Sequence, residues 1–325
     1  KGRMPDFLPD VPEIREDFND YLGEAQAVDA GLGVIIAKLE AAGELDNTMI
    51  VVSGDHGIPG FPRAKCNLYN LGTEVSMAVR WPKEITAGRT VDDFVNLMDL
   101  APTFLEAAGV DLPDQMTGNS LLPLLKSELS GQVEVDRSFV VTGRERHTGS
   151  TITGGNATVE EGLPYPMRSI RTKDFLYIHN FEPNRWPVGD PGGLDDPTAE
   201  SPTRDEILAN TGHVYPDIDK GPTKAWMITN RAEPEVAPLF DLGFNKRPQE
   251  ELYDLRSDPH YMSNLAEDPA QEKNRKKLHD QLMKILEEQN DPRLVESPPR
   301  FEISPYAGPI PAAWHKENEA QDRTT

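Results

Sequence analysis

In Val51-Val52-Ser53-Gly54-Asp55-His56-Gly57, an apolar, β-branched run from Met49 to Val52 ends abruptly in an acid, an imidazole and a glycine. Lys65-Cys66-Asn67-Leu68-Tyr69 follows on the next loop. The run has the form of a buried strand whose C-terminal end carries ligands into a cleft. In open α/β sheets the chemistry sits outside the carboxyl ends of the strands. A carboxylate, a His and a Lys converging there suit hydrolysis of an anionic ester, with the cation reaching the bound anion.

Working outward, residues 14 to about 42 carry Phe18, Leu22, Ala25, Leu32, Ile35, Ile36 and Leu39 at three- and four-residue steps, which predicts one long amphipathic helix. Gly43 is its C-cap. Helix followed by buried strand is the αβ unit of a parallel sheet. Further strands are predicted over Val75–Trp81, Ser138–Thr142, Met167–Thr172, Phe175–His179 and Glu251–Leu255, the third and fourth forming a hairpin about Lys173-Asp174. Helices are predicted over Leu97–Ala108, over Ser120–Lys126 as a short turn, and from Asp268 to about Glu288. Residues 183 to about 236 are rich in Pro, Gly and Asp without a clear period, and read as a long irregular insertion of a functional or mobile kind. Residues 291–325 read as a Pro-rich, then polar tail, extended or disordered.

The 325 residues suffice for one large or two ordinary domains. The formal net charge of −22 argues against a nucleic-acid partner, which needs a basic footprint. It also suits a polyanionic substrate poorly unless cations cluster locally. No apolar run reaches the roughly 20 residues of a membrane helix, so no membrane partner is expected. A single cysteine rules out an internal disulfide. Lys1-Gly2-Arg3-Met4-Pro5 shows no signal-peptide pattern and reads as an interior segment of a larger protein.

Several blocks together carry a family resemblance. The run VDAGLGVIIAKLEAAGELDNTMIVVSGDHG resembles the type I sulfatase signature, and ELYDLRSDPHYMSNLAEDP, about two hundred residues later, resembles the family's C-terminal motif. NLYNLGTEVSMAVRWP, NLMDLAPTFLEAAGV and GNSLLPLL fit further blocks, and YPMRSIRTKDFLYIHN looks closest to the sulfamidase branch. The resemblance covers roughly residues 10 to 290. It implies an α/β, alkaline-phosphatase-like fold: residues 1–163 would be the C-terminal portion of the catalytic domain. Residues 164–290 would be a smaller α+β subdomain on a short antiparallel sheet.

The same resemblance implies a sulfuric ester or N-sulfate hydrolase acting on sulfated sugars. Such an enzyme uses one Ca²⁺ and a formylglycine, and works outside the cytosol. No C/S-x-P/A-x-R motif occurs in this chain, so the nucleophile is expected upstream of Lys1. Asp55 and His56 match calcium ligands; a hard cation prefers oxygen, which favours Asp55, and the catalytic His56 suits either a ligand or a hydrogen bond to the sulfate or nucleophile. Gly54 stands where the family has Ser. Lys65 matches the sulfate-binding cation, neutralising the sulfuryl oxygens as the bond to sulfur breaks. His147 matches a substrate-pocket His, and Arg144 or Arg146 suits a sugar carboxylate or second sulfate through a guanidinium fork. Arg168 and Arg171 lie on opposite faces of one strand, and Arg168 is taken as the cleft residue. These cations would form a basic pocket in an acidic protein.

Plainer readings stand beside these. Arg63 reads as a solvated neighbour, Cys66 as a small buried hydrophobe, His179 as core packing, and His213, His260, His279 and His315 as surface residues. The cations of the last helix read as a solvated face. Two alternatives remain open: a zinc phosphodiesterase or phosphatase of the same superfamily, with His147 or His179 at a second metal, and an inert, glycan-binding remnant.

Overall fold

The computed structural model describes residues 4–145, 164–196 and 198–302. Helix α1 spans Pro12–Ala41 and strand β1 Ile50–Ser53; a one-turn helix α2, Asn70–Thr73, precedes β2, Met77–Arg80. Then come α3 (Leu100–Ala107), α4 (Leu122–Lys126) and β3 (Phe139–Arg144). The hairpin β4 (Met167–Thr172) and β5 (Phe175–Asn180) leads to helices α5 (Arg204–Ala209), α6 (Pro222–Thr229) and α7 (Ala237–Phe244). Strand β6 (Glu250–Asp254), α8 (Glu272–Glu288) and α9 (Pro292–Val295) complete the order.

Two antiparallel sheets result, β1–β2 and β3–β4–β5–β6. The parallel unit expected around the first strand is not formed within the described residues: β1 pairs antiparallel with β2, Val51 opposite Val79, and it is half-buried along its length rather than buried. Helix α1 explains why. Its first turns dock, with Ile14 buried and Phe18 edge-on to Phe61 at 5.0 Å. Farther along, Tyr21, Leu22, Val28, Val34 and Ile35 face solvent. The amphipathic period is real, but no described part of this chain covers that stripe.

The four-stranded sheet is buried on both faces because its residues alternate. Met167, Leu176, Ile178 and Tyr253 pack on one face against Leu68, Tyr69 and Tyr261 of the connecting loops. Ile170, Tyr177 and Leu252 pack on the other, where α8 delivers Leu278, Leu282 and Leu286 at helical spacing. Each such leucine contributes about 1.5–3 kcal/mol of burial. Helix α8 is therefore a packed layer of the fold. It starts at Glu272 and not Asp268, because Asp268 caps a 3₁₀ turn through Ala270 N.

The described residues of 183–236 are ordered, contrary to their irregular composition. Val188, Ile207, Val214, Tyr215 and Ile218 join Ile58, Phe61, Phe240 and Phe244 in one core. Thr203 and Glu206 form a capping box at the start of α5. Lys224 is fully buried and donates to the carbonyls of Thr211, Tyr215 and Ile218 at 2.8–3.1 Å, tying the loop to α6. Polar staples of this kind leave no hydrophobic period to read.

The start of the tail is also docked. Asp291 caps α9 and accepts from Arg168, while Arg293 binds Glu145 and Glu302. Residues 303–325 lie outside the described residues.

Candidate active site

Asp55 and His56 stand at the C-terminal end of β1, as the sequence pattern requires. The turn is fixed by backbone crowding: a Cβ on Gly57 would lie 1.7 Å from the Leu71 carbonyl oxygen, so only glycine fits. Gly57 N in turn donates to Gly72 O at 3.0 Å. The Asp55 side chain is 86% exposed and its Oδ1 accepts from His56 N at 3.0 Å. His56 Nε2 lies 3.4 Å from Asp55 Oδ2, and its Nδ1 lies 2.8 Å from Gly57 O. A carbonyl partner makes Nδ1 the protonated nitrogen, an assignment made from the hydrogen bond. Nε2 then keeps its lone pair on the side of the carboxylate. A ring nitrogen held this way by a backbone carbonyl is the usual support of a metal-binding His.

Lys65 comes back toward this pair. Its N donates to Ile58 O at 3.1 Å and its Nζ to Asp219 Oδ2 at 2.9 Å. Partial burial disfavours the ammonium, but the Asp219 hydrogen bond and charge, with weaker help from Cys66 and Asp55, outweigh it and hold the amine above its ordinary range. Lys65 is thus a protonated cation at neutral pH, electrostatically felt by Asp55.

The loop is held from beneath by a buried cluster. Arg63, 1% exposed, places its guanidinium 3.9 Å from the Tyr69 ring centroid and donates to Tyr253 Oη at 3.3 Å. Tyr69 and Tyr253 both donate to Glu251 Oε2 at 2.7 Å, and Asn180 donates to Glu251 Oε1 at 2.8 Å. Arg247 donates to Asn67 at 2.6 Å. Arg63 is therefore an anchor and not a solvated neighbour. Both Arg63 and Cys66 adopt left-handed backbone conformations, φ 59° and 68°. Cys66 is half-buried, not buried, and its carbonyl receives Arg144.

Among the described residues, the predicted cations do not converge in one pocket. Arg144 lies near the loop, but it is committed to Cys66 O, to Pro187 O at 2.6 Å and to Asp217 at 3.3 Å. Burial, only partly countered by Asp217, lowers its affinity for a proton. Arg168 belongs to the other face of the sheet: it is the cross-strand neighbour of His179 and is clamped by Glu145 at 2.6 Å and Asp291 at 2.7 Å. Arg171 is the strand's arginine on the loop face, donating to Asn70 at 3.2 Å. Arg146 and His147 lie outside the described residues. His260 pairs with Asp6 at 3.0 Å. His279 is no bare surface residue, since its Nδ1 meets Tyr177 Oη at 2.8 Å.

The Asp55–His56 pair is a fit for part of a divalent cation site. It offers an accessible carboxylate and a lone-pair nitrogen from adjacent residues. A hard cation takes about six to eight ligands, so such an ion would need further donors beyond these two.

The family profile "N-sulphoglucosamine sulphohydrolase, C-terminal" matches residues 55–138. The chain is 29% identical over 299 residues to human N-sulphoglucosamine sulphohydrolase, covering 89% of this chain and 51% of the relative. It is 27% identical over 272 residues to an ulvan-active sulfatase of Formosa agariphila, covering 83% and 38%. Among solved structures, BT4656 in complex with its substrate D-glucosamine-2-N,6-O-disulfate superposes with a TM-score of 0.53 at 26% identity, covering 84% of this chain and 41% of that one. BT1596, a 2-O GAG sulfatase, superposes at 0.50 with 19% identity over 82% and 42%, a likeness of fold alone. The chain thus spans about half the length, or less, of the proteins it matches. Its fold is the alkaline-phosphatase-like fold of sulfatases, as expected. On the profile, the relatives and the fold together, this chain is similar to the type I sulfatases, and in particular to the C-terminal part of a sulfamidase-like member.

Proposed function

We propose that this chain forms part of a hydrolase that removes sulfate from an O- or N-sulfated sugar. The observation that carries the reading is the return of Lys65 toward the Asp55–His56 turn, on a loop locked by Gly57 and by the Arg63–Tyr69–Glu251 cluster. Asp55 and His56 would hold one Ca²⁺; when bound, the ion would lower the cost of bringing an anionic sulfuryl group into the site. Lys65 would set its ammonium against the sulfuryl oxygens, where negative charge grows as the bond to sulfur breaks. Asp219 keeps that ammonium protonated and fixes its direction. The covalent nucleophile, a formylglycine by family analogy, would be supplied by residues outside this chain. Of the predicted sugar contacts, Arg144 and Arg168 are tied up in internal ion pairs, which leaves Arg146 and His147 as the candidates.

Sulfate release from glucosamine N-sulfate and glucosamine 6-O-sulfate tests this. The 325-residue chain alone should release none, and the chain extended by its upstream coding sequence should release sulfate. Asp55→Asn should abolish release, and Lys65→Ala should reduce it by on the order of a hundredfold, as loss of one stabilising group at a developing anion does. Turnover by the chain alone would place the nucleophile within it. No release by the extended protein would refute the reading.

A further inference from the structure

On the α8 face of the sheet, away from the Asp55–His56 turn, three potential metal ligands meet. His179 on β5 and Glu250 on β6 are direct cross-strand partners. His279 is brought over them by α8, whose Leu278 and Leu282 are buried on either side of it. One donor atom from each of the three lies within 4.8 Å of the others. His279 Nδ1 and Glu250 Oε1 are 3.6 Å apart. Tetrahedral Zn²⁺ with bonds of about 2.0–2.2 Å sets its ligand atoms roughly 3.4 Å apart, so closure needs only small rotamer adjustments.

Three further features favour an ion. Glu250 is oriented by Arg275, which holds Oε2 at 2.6 Å and leaves Oε1 for the site. Tyr177 Oη sits among the same atoms, 2.6 Å from Glu250 Oε1, 2.8 Å from His279 Nδ1 and 3.5 Å from His179 Nδ1, and offers a fourth oxygen. His179 is buried while His279 and Glu250 are partly exposed, so the site has a wall and an opening. All ligands stand on strands and a helix, which hold geometry better than loops do.

We propose that His179, Glu250 and His279, with Tyr177 beside them, form a second metal site, separate from the sulfate-hydrolysing centre, that takes a borderline divalent ion such as Zn²⁺. Two imidazoles and one carboxylate select zinc, copper or nickel over calcium, so this site and the oxygen-favouring Asp55 site differ in the ion they accept. Bound there, the ion would fasten α8 to β5 and β6 as a structural cross-link. Tyr177 also supplies the competing arrangement: its hydroxyl can satisfy Glu250 and His279 by hydrogen bonding alone.

The test is titration of the metal-stripped chain with Zn²⁺ by calorimetry, together with melting curves and the visible spectrum of the Co²⁺ form. One ion per chain, a raised Tm and a tetrahedral Co²⁺ band are expected. His279→Gln, at a partly exposed position of α8, should retain the far-UV circular dichroism and weaken zinc binding by at least the roughly tenfold that loss of an outer-sphere partner alone costs. Glu250→Gln should do the same and serves if His279→Gln does not fold. Absence of stoichiometric zinc binding, or binding by the variants equal to the parent's, would overturn the proposal. None of these readouts depends on sulfate release.

Discussion

Tyr69 donates to Glu251 across 182 positions of sequence, at 2.7 Å and out of contact with water. This bond joins the two stretches that carried the family resemblance, the loop after Asp55-His56-Gly57 and the Glu251-Leu252-Tyr253-Asp254-Leu255 strand. Glu251 is the buried anion between two buried guanidiniums, Arg63 and Arg247. Glu251→Ala should therefore cost about 3–5 kcal/mol, the penalty for stranding buried charges. Tyr69→Phe should cost about 1 kcal/mol, one hydrogen bond. Urea unfolding monitored by tyrosine and tryptophan fluorescence measures both; equal costs would contradict this account of the cluster.

Gly57→Ala places a methyl where the Leu71 carbonyl stands. The backbone must move, at about 3 kcal/mol or more, and the Asp55–His56 turn moves with it. Gly31→Ala, in the open middle of α1 with nothing within 4 Å, should instead stabilise by about 0.5–1 kcal/mol. Thermal melts of the two variants should shift in opposite directions.

Asp219→Asn removes the main group that holds the Lys65 ammonium above its ordinary range, leaving burial opposed only by the weaker charges of Cys66 and Asp55. The Lys65 pKa should fall, readable by ¹⁵N-detected titration of the lysine amines. With Lys65 and Asp219 partly exposed, the stability cost should stay within about 1 kcal/mol. An unmoved titration would mean that Asp219 does not set the charge of Lys65.

Arg168→Met removes the cation that Glu145 and Asp291 share, leaving Glu145 with Arg293 and Asp291 without its guanidinium partner. A loss of about 3 kcal/mol is expected, with release of α9 from the strand ends. Limited proteolysis after Arg293 should accelerate in the variant and remain slow in Arg256→Met, whose ion pair with Asp254 lies at the surface.

Lys224 supplies a pH dependence. Burial pushes its amine down to about 7, against the pull of Asp219 and Asp217. Between that value and the ordinary 10.5 the unfolded chain binds a proton that the folded chain does not, so this group's contribution to stability rises with pH across that window and is constant below it. The stability of the parent minus that of Lys224→Met should grow in the parent's favour from pH 7 to pH 10. A difference flat in pH would show that the three carbonyls keep the amine charged throughout.

Periodicity and turn chemistry placed most of the elements within a few residues. The β4–β5 hairpin is local: Thr172 and Phe175 exchange bonds across the turn. The Asp-His-Gly turn was legible for the same reason, being three adjacent residues whose backbone demands a glycine. Residues 183–236 were not legible, because their order comes from scattered apolar anchors, one buried lysine and a capping box and not from an apolar period.

The sequence by itself determined the resemblance to sulfatases, the strand-end position of Asp55 and His56, and the presence of a cation on the following loop. These are carried by contiguous residues and by order along the chain. Tertiary structure alone decided which cations stay near that turn. A strand sends successive side chains to opposite faces, so Arg168 went to Glu145 and Asp291 behind the sheet while Arg144 sank onto Asp217. It also decided that His179, Glu250 and His279, separated by a hundred positions of chain, stand together, because β5 pairs with β6 and three leucines of α8 press the helix onto both.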